Sequence, residues 1–215
     1  VPISVPIPTK SPGDLFPSTL WNSYIRDNGN KLLDRGHRIL TVAQFTALTG
    51  LEDGDEVYLE VDSSNGVIWH LRYVAAEGTY KWRFLGGPPL FSQVLTSEGT
   101  GSGSYTALAT AGPSIALPRA GDYMVQHGAQ ISNGTDAQGG MMSYDIGAAA
   151  ASNNDAIQVR GGGSGQAIAS AARENRKTGL TTVTLTAKYL SPGTGTAVFA
   201  NRFMCVRPVR IRHDA

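Results

Sequence analysis

The sequence predicts a mainly β protein with an extended N-terminal arm, a short helix, a small antiparallel β-meander and a C-terminal β-sandwich or jelly roll. Three observations carry that prediction. Val, Ile, Thr, Tyr, Phe and Trp cluster in short runs separated by Gly, Ser, Asn and Pro, as in all-β proteins. Several runs alternate apolar and polar residues, the period of a strand with one buried face. Pro2, Pro6, Pro8, Pro12 and Pro17 crowd the start of the chain, where fixed φ and missing amide donors enforce an extended course.

Residues 1–35 form the first segment. Val1, Ile3, Val5 and Ile7 alternate, so an extended arm carries one apolar side, unlike a polar disordered tail. After Pro17, Ser18 or Thr19 can cap a helix. Leu20, Trp21, Tyr24, Ile25, Asn28 and Leu32 then fall on one stripe at helical spacing. Gly29 weakens it and Asp34-Arg35-Gly36 ends it. Such a helix either packs on its own domain or serves as a docking or trimerisation helix.

Residues 36–89 are expected to be a small β-meander domain. Val42, Phe45 and Leu48 suggest a helical turn. Strands are predicted over 56–62, 67–74 and 79–85, with a turn at Ser63-Ser64-Asn65-Gly66. Trp69, Tyr73, Tyr80 and Trp82 align as a core, or else as a sugar-stacking platform. Gly86-Gly87-Pro88-Pro89 reads as a hinge.

Residues 90–215 form the third segment. Ser97–Ser104, almost all Gly, Ser and Thr, reads as a linker. Eight strands follow near 105–109, 113–117, 121–131, 139–146, 156–160, 166–172, 180–190 and 196–211, a spacing that suits a sandwich or jelly roll. Leu117–Tyr123 reads as strand, tight turn, strand, and Ser191-Pro192-Gly193-Thr194-Gly195 as a hairpin turn.

The chemistry is sparse. His37, His70, His127 and His213 are not at metal-ligand spacing. The glycine-rich stretches 99–103 and 161–165 lack the lysine and helix of a phosphate loop. Glu52, Asp53, Asp55 and Glu56 sit at a loop–strand junction, more in keeping with a solvated turn than with a glycosidase pair. Cys205 lies in a predicted strand and reads as an inert thiol. Arg173, Arg176 and Lys177 read as a basic loop, and Arg207, Arg210 and Arg212 as a basic terminus, solvated or in contact with an acidic particle surface. No catalytic residue, metal ligand or cofactor is assigned, so no enzyme is expected. The net charge of +1 gives no field for nucleic acid. No apolar run reaches membrane-spanning length, and no signal peptide pattern is seen. Because the chain starts at Val1, loss of an initiator Met or processing is expected. Charged residues are only 16%, against roughly 25% in an average globular domain. That fits a surface buried in an assembly, or simply a glycine-rich β protein.

The arm, Leu20-Trp21-Asn22 with Arg26-Asp27-Asn28, Asp53–Tyr58, Val67–Tyr73, Lys81-Trp82 and Gly86–Pro89 together resemble small virion structural proteins of tailed bacteriophages, of the head-decoration, short-fibre or minor-tail type. Ile115–Pro118 before Gly121–Val125, and the closing strand Ala197–Val206, are similar in pattern to trimeric jelly rolls of the C1q and tumour-necrosis-factor type, against a monomeric sandwich. The resemblances imply a homotrimer on the particle surface, held to capsid or tail proteins by Val1, Ile3, Val5, Ile7, Leu20, Trp21, Tyr24 and Ile25. The alternative is a tail fibre or receptor-binding protein, with polar loops touching host cell-surface glycan through Asn133, Thr135, Asn153 and Asn154. Neither reading requires nucleic acid or insertion into a membrane.

Overall fold

The computed structural model describes residues 39–134, 139–160 and 167–214. The arm and the Leu20–Asn28 helix, with all eight anchoring candidates, lie outside the described residues, as does Thr135. The chain divides into two compact units, one ending at Gly87 and the other running from Pro88 to His213. The protein is mainly β.

In the first unit, β1 (Ile39–Thr41) pairs in parallel with β2 (Glu56–Asp62), which continues antiparallel into β3 (Val67–Tyr73) and β4 (Trp82–Gly86). The helical turn expected around Phe45 is α1 (Val42–Thr46). A capping box starts it: Gln44 N donates to Thr41 Oγ1 at 3.3 Å and Thr41 N to Gln44 Oε1 at 3.0 Å, satisfying two amides with no helical partner. Its buried Phe45 packs on Trp82 at 5.1 Å between ring centroids. Trp82 also meets Tyr73 at 5.3 Å, and Trp69 meets Phe84 edge-on at 6.3 Å. Trp69 and Trp82 are fully buried, so these rings form a core and not a sugar platform. Tyr80 is half-buried and precedes the last strand, which starts at Trp82 and not at Thr79. Gly87 closes the unit at φ +121°, where a Cβ would sit 2.3 Å from the Ile68 carbonyl oxygen, so both conformation and space demand glycine.

The second unit is a two-sheet sandwich. One sheet runs β11 (Ala167–Leu180), β8 (Gly121–Asn133), β13 (Ala197–Ile211). β5 (Leu90–Val94) and β6 (Glu98–Thr100) pair with successive stretches of β13. The other sheet runs β10 (Ile157–Val159), β9 (Gly140–Ile146), β12 (Thr184–Leu190), β7 (Ser114–Ala116). With β5 and β6 taken as one broken strand, the orders are first–eighth–third–sixth and second–seventh–fourth–fifth, the two Greek keys of a jelly roll. Tyr123, Val125, Ile131, Met142, Leu185, Tyr189, Phe199, Met204 and Val206 fill the interior.

Four details differ from the sequence reading. Ser97–Ser104 is not merely a linker, because Glu98–Thr100 is a strand. Residues 105–109 form no strand; Thr106 makes a single bridge to Tyr189. The basic loop is part of β11, which extends through Arg173, Arg176 and Lys177 to Leu180. Ser191–Gly195 is not a hairpin turn: β12 pairs with β7 and β9 whereas β13 pairs with β5, β6 and β8, so this turn carries the chain from one sheet to the other. A turn sequence reports a reversal, not which strands then bond.

Replacing Phe45 by Ala removes the only fully buried side chain of α1. The expected cost is about 3–5 kcal/mol, read as a lowered midpoint in urea unfolding of the full chain.

Candidate functional site

Two charge clusters in the second unit involve its arginines. The first is the interior pair Arg202–Glu98. Along β13, Ala197 and Phe199 point inward, then Arg202, Met204 and Val206 do. A bulge between Ala200 and Phe203 makes that switch of parity, with Asn201 at φ 51°, a left-handed conformation that Asn tolerates. The bulge thus turns Arg202 into the interior, where it is 0% exposed. Its guanidinium donates to Thr110 O and Thr96 O at 3.2 Å each, bonds Glu98 Oε2 at 3.3 Å, and lies 5.3 Å from the Tyr189 ring centroid. Glu98 also accepts from Thr110 Oγ1 at 2.6 Å and from Thr110 N. These Thr110 bonds, more than the nearby Arg202 charge, hold the Glu98 carboxyl below its ordinary value. Tyr189 donates to Gly112 O at 2.6 Å, and burial pushes its phenol up to about 12.

The second is at the end of β8. Asp122 is buried, yet it accepts from Gly179 N at 2.9 Å, Arg210 Nε at 2.8 Å and Arg176 Nη2 at 3.3 Å. Burial pushes its carboxyl upward, but these three partners together outweigh burial and hold it below its ordinary value. Arg207 pairs with Glu174 at 3.3 Å, and Arg119 donates to the carbonyls of Arg212 and His213. Arg176, Arg207 and Arg210 therefore meet carboxylates of their own chain, and are not a free basic loop and terminus.

The outward side of the β5–β13–β8–β11 sheet carries Gln93, Gln126, Gln130 and Glu174 along with a few large apolar side chains near its edges. Phe91 stacks on Phe203 at 6.4 Å and is 55% exposed. Gly128 lies beneath Phe203, and a Cβ there would come 2.5 Å from the ring. Ile168, at the opposite edge on β11, is 63% exposed, and β11 runs 14 residues with β8 as its one ladder partner among the described residues. Cys205 is opposite Phe91 in the ladder; burial pushes its thiol up, which disfavours the thiolate nucleophile.

The glycan-contact candidates do not come together. Asn133 is 1% exposed and donates to Gly139 O at 3.2 Å. It is therefore not a surface contact: it continues the inward series Tyr123, Val125, His127, Ala129, Ile131, and that parity was readable. Asn153 and Asn154 are exposed on the short 3-10 turn Asn153–Asp155, where Asn153 Oδ1 accepts from Tyr105 OH at 2.9 Å. Of the loop–strand acids, Asp55 and Asp53 accept from the backbone amides of Glu52 and Ala75 at 2.9 Å each, as turn-forming carboxylates do. Among the described residues no group of three or more His, Cys, Asp or Glu could hold a metal ion, and no helix is long and apolar enough to cross a membrane.

No protein-family model and no curated protein matches the chain. Among solved structures it is similar to the N-terminal CBM22-1 and GH10 modules of Clostridium thermocellum endo-1,4-β-D-xylanase 10B, complexed with xylohexaose. The identity is 11% and the TM-score 0.18, over 72% of this chain and 25% of that one. The chain thus spans a quarter of that protein's length, and a likeness at this score carries no argument.

Acid should weaken the fold through Glu98 and Asp122. Their unfolded values are near 4.5 and 3.8, and the folded values are lower. Their stabilisation is present above the unfolded values and is lost as pH falls through the folded ones. Urea midpoints measured at decreasing pH should drop below about pH 4.5, and Glu98→Gln should flatten that drop while lowering the midpoint at neutral pH.

Proposed function

We propose that this chain is a non-enzymatic structural protein of a tailed-phage particle: a homotrimeric surface decoration or short fibre, anchored by residues 1–35 and displaying the jelly roll. The observation that carries the self-assembly is the outward sheet face, with Phe91 and Phe203 toward one edge and exposed Ile168 toward the other. Exposed apolar patches of this kind mark association sites. An aromatic pair near one edge and an exposed isoleucine near the other suit a heterologous contact that closes as a ring. The low charge of the chain and the internal pairing of Arg176, Arg207 and Arg210 support the same reading.

Anchorage rests on the apolar arm and on Leu20, Trp21, Tyr24 and Ile25. Three linked copies convert three modest contacts into lasting attachment by raising effective concentration, by a factor of roughly 10² or more. The partners on this reading are capsid or tail proteins, and the location is the particle surface. A second reading, contact with host glycan as a receptor-binding fibre, is favoured by one feature: Asn153 and Asn154 stand exposed beside the Tyr105 hydroxyl.

Sedimentation of the full chain should give a trimer, and the double variant Phe91→Asp, Ile168→Asp should give a folded monomer. A wild-type monomer at micromolar concentration would sink the assembly. Deleting residues 1–35 should leave the trimer and abolish binding to particles; a truncated protein that still decorates them would exclude the anchor. Binding of whole host cells that falls at least about tenfold in Asn153→Ala, Asn154→Ala, with trimer and particle binding unchanged, would favour the second reading.

A further inference from the structure

The least compensated group in the second unit is His127, at the middle of β8. It is 0% exposed, and neither Nδ1 nor Nε2 makes a well-formed hydrogen bond. Buried polar atoms are almost always paired, so an imidazole with only the Met142 backbone near it and no well-formed bond at either nitrogen stands out. Tyr144 from β9 meets it edge-on, with ring centroids 5.1 Å apart, and Tyr144 Oη is also buried without a partner.

Two of the three charged groups acting on it are cations. β11 contributes Arg173, opposite His127 in the ladder, and Lys177 two pairs along on the same side, with its Nζ 5.8 Å from the Tyr144 centroid. On the β13 side Met204 is opposite, with Cys205 on the other face. β10 offers Ile157, Gln158 and Val159, none titratable. β8 itself carries Tyr123 two pairs away on the same side, and Asp122 on the outward one. The single acid acting on the ring is Asp155, and Lys177 already holds it at 2.5 Å. The same turn is tied to β11 by two more bonds, Arg173 Nη1 to Ala156 O at 3.1 Å and Asn175 Nδ2 to Asp155 O at 3.5 Å.

We infer that His127 is an interior proton sensor, whose charging opens the sandwich edge where the Asn153–Asp155 turn is tied to β11. A proton from solvent on the imidazole gives two N–H donors and one positive charge. The closed interior offers them no carboxylate of their own and two cations nearby. Parting the turn from β11 admits water to both nitrogens. Burial above all depresses the His127 value from 6.5 to about 4; the Met142 backbone and then Asp155 oppose it in part, and Arg173 and Lys177 add smaller depressions.

The sign follows from linkage. Between pH 6.5 and about 4 the opened state binds a proton that the closed state does not, so the closed state loses ground as pH falls across that window and is fully favoured above it. Glu98 and Asp122, whose losses begin below their unfolded values, leave the upper part of the window to His127. The inference does not depend on the virion reading, and trimer or monomer leaves its test unchanged.

Hydrogen exchange on the full chain, corrected for intrinsic rates, reads the opening directly. Between about pH 6.5 and pH 4.5, protection in peptides spanning 141–146 and 153–159 should fall by about 40-fold, while peptides around β2 and β3 hold. His127→Phe should abolish the fall; where that variant does not fold, His127→Gln, which cannot titrate, takes its place. A wild-type-like fall in the non-titrating variant overturns the inference. So does a His127 ring resonance titrating near 6.5, or constant protection across the window in the wild type.

Discussion

A single buried cation sets much of the second unit. Arg202 cannot sit in the interior without acceptors, since an uncompensated buried charge is among the costliest features a fold can carry. Its acceptors are Thr96, Glu98 and Thr110, so both ends of the run between β5 and β7 are drawn onto β13. Such a pair adds little net stability over an apolar substitute. What it selects here is geometry: the bulge at Ala200–Phe203, the left-handed Asn201, and a three-residue strand, Glu98–Thr100, in a stretch of composition suited to a flexible link.

Much of this architecture was legible in the residues, and the gaps have physical causes. Alternation in 56–62 and 67–73, and in the series Tyr123 to Ile131, marked strands with one buried face. The run of Gly, Ser and Thr around β6 carries no alternation, because that strand is held by Glu98 and by its ladder to β13, not by apolar burial. β11 was read short because its far half is polar. It lies at a sheet edge, where side chains on both faces reach solvent and periodicity carries little information. The parity change from Phe199 to Arg202 is hidden in the sequence, because 197–200 and 203–206 are apolar on both faces and carry no alternation from which an inward arginine could be read. For the candidate site the yield was smaller. Asn133 belongs to β8, which runs two residues beyond the strand expected over 121–131, and the outward contact of Phe91 with Phe203 depends on a ladder between residues about a hundred positions apart.

The two faces of the β8-centred sheet divide the labour. Inward, apolar side chains surround a few polar groups whose partners are tightly specified. Outward, carboxylates and arginines neutralise one another at the end of β8 and between β11 and β13, leaving aromatic and aliphatic groups toward the edges. Charge is thereby largely neutralised within the chain, which leaves little long-range field. That suits permanent neighbours better than steered, salt-sensitive encounters.

The position of β13 has a consequence for biogenesis. This strand lies between β8 on one side and β5 with β6 on the other, although residues 197–211 are made after nearly all the rest of the unit. During synthesis, β5 and β6 have no ladder partner and the interior that Phe199, Met204 and Val206 complete stays open until that last strand leaves the ribosome. Contacts of such sequence separation are slow to form, and unpaired edges in the waiting chain invite association with its neighbours. A nascent chain stalled before residue 197 would therefore be a non-native, chaperone-dependent species and not a partial jelly roll.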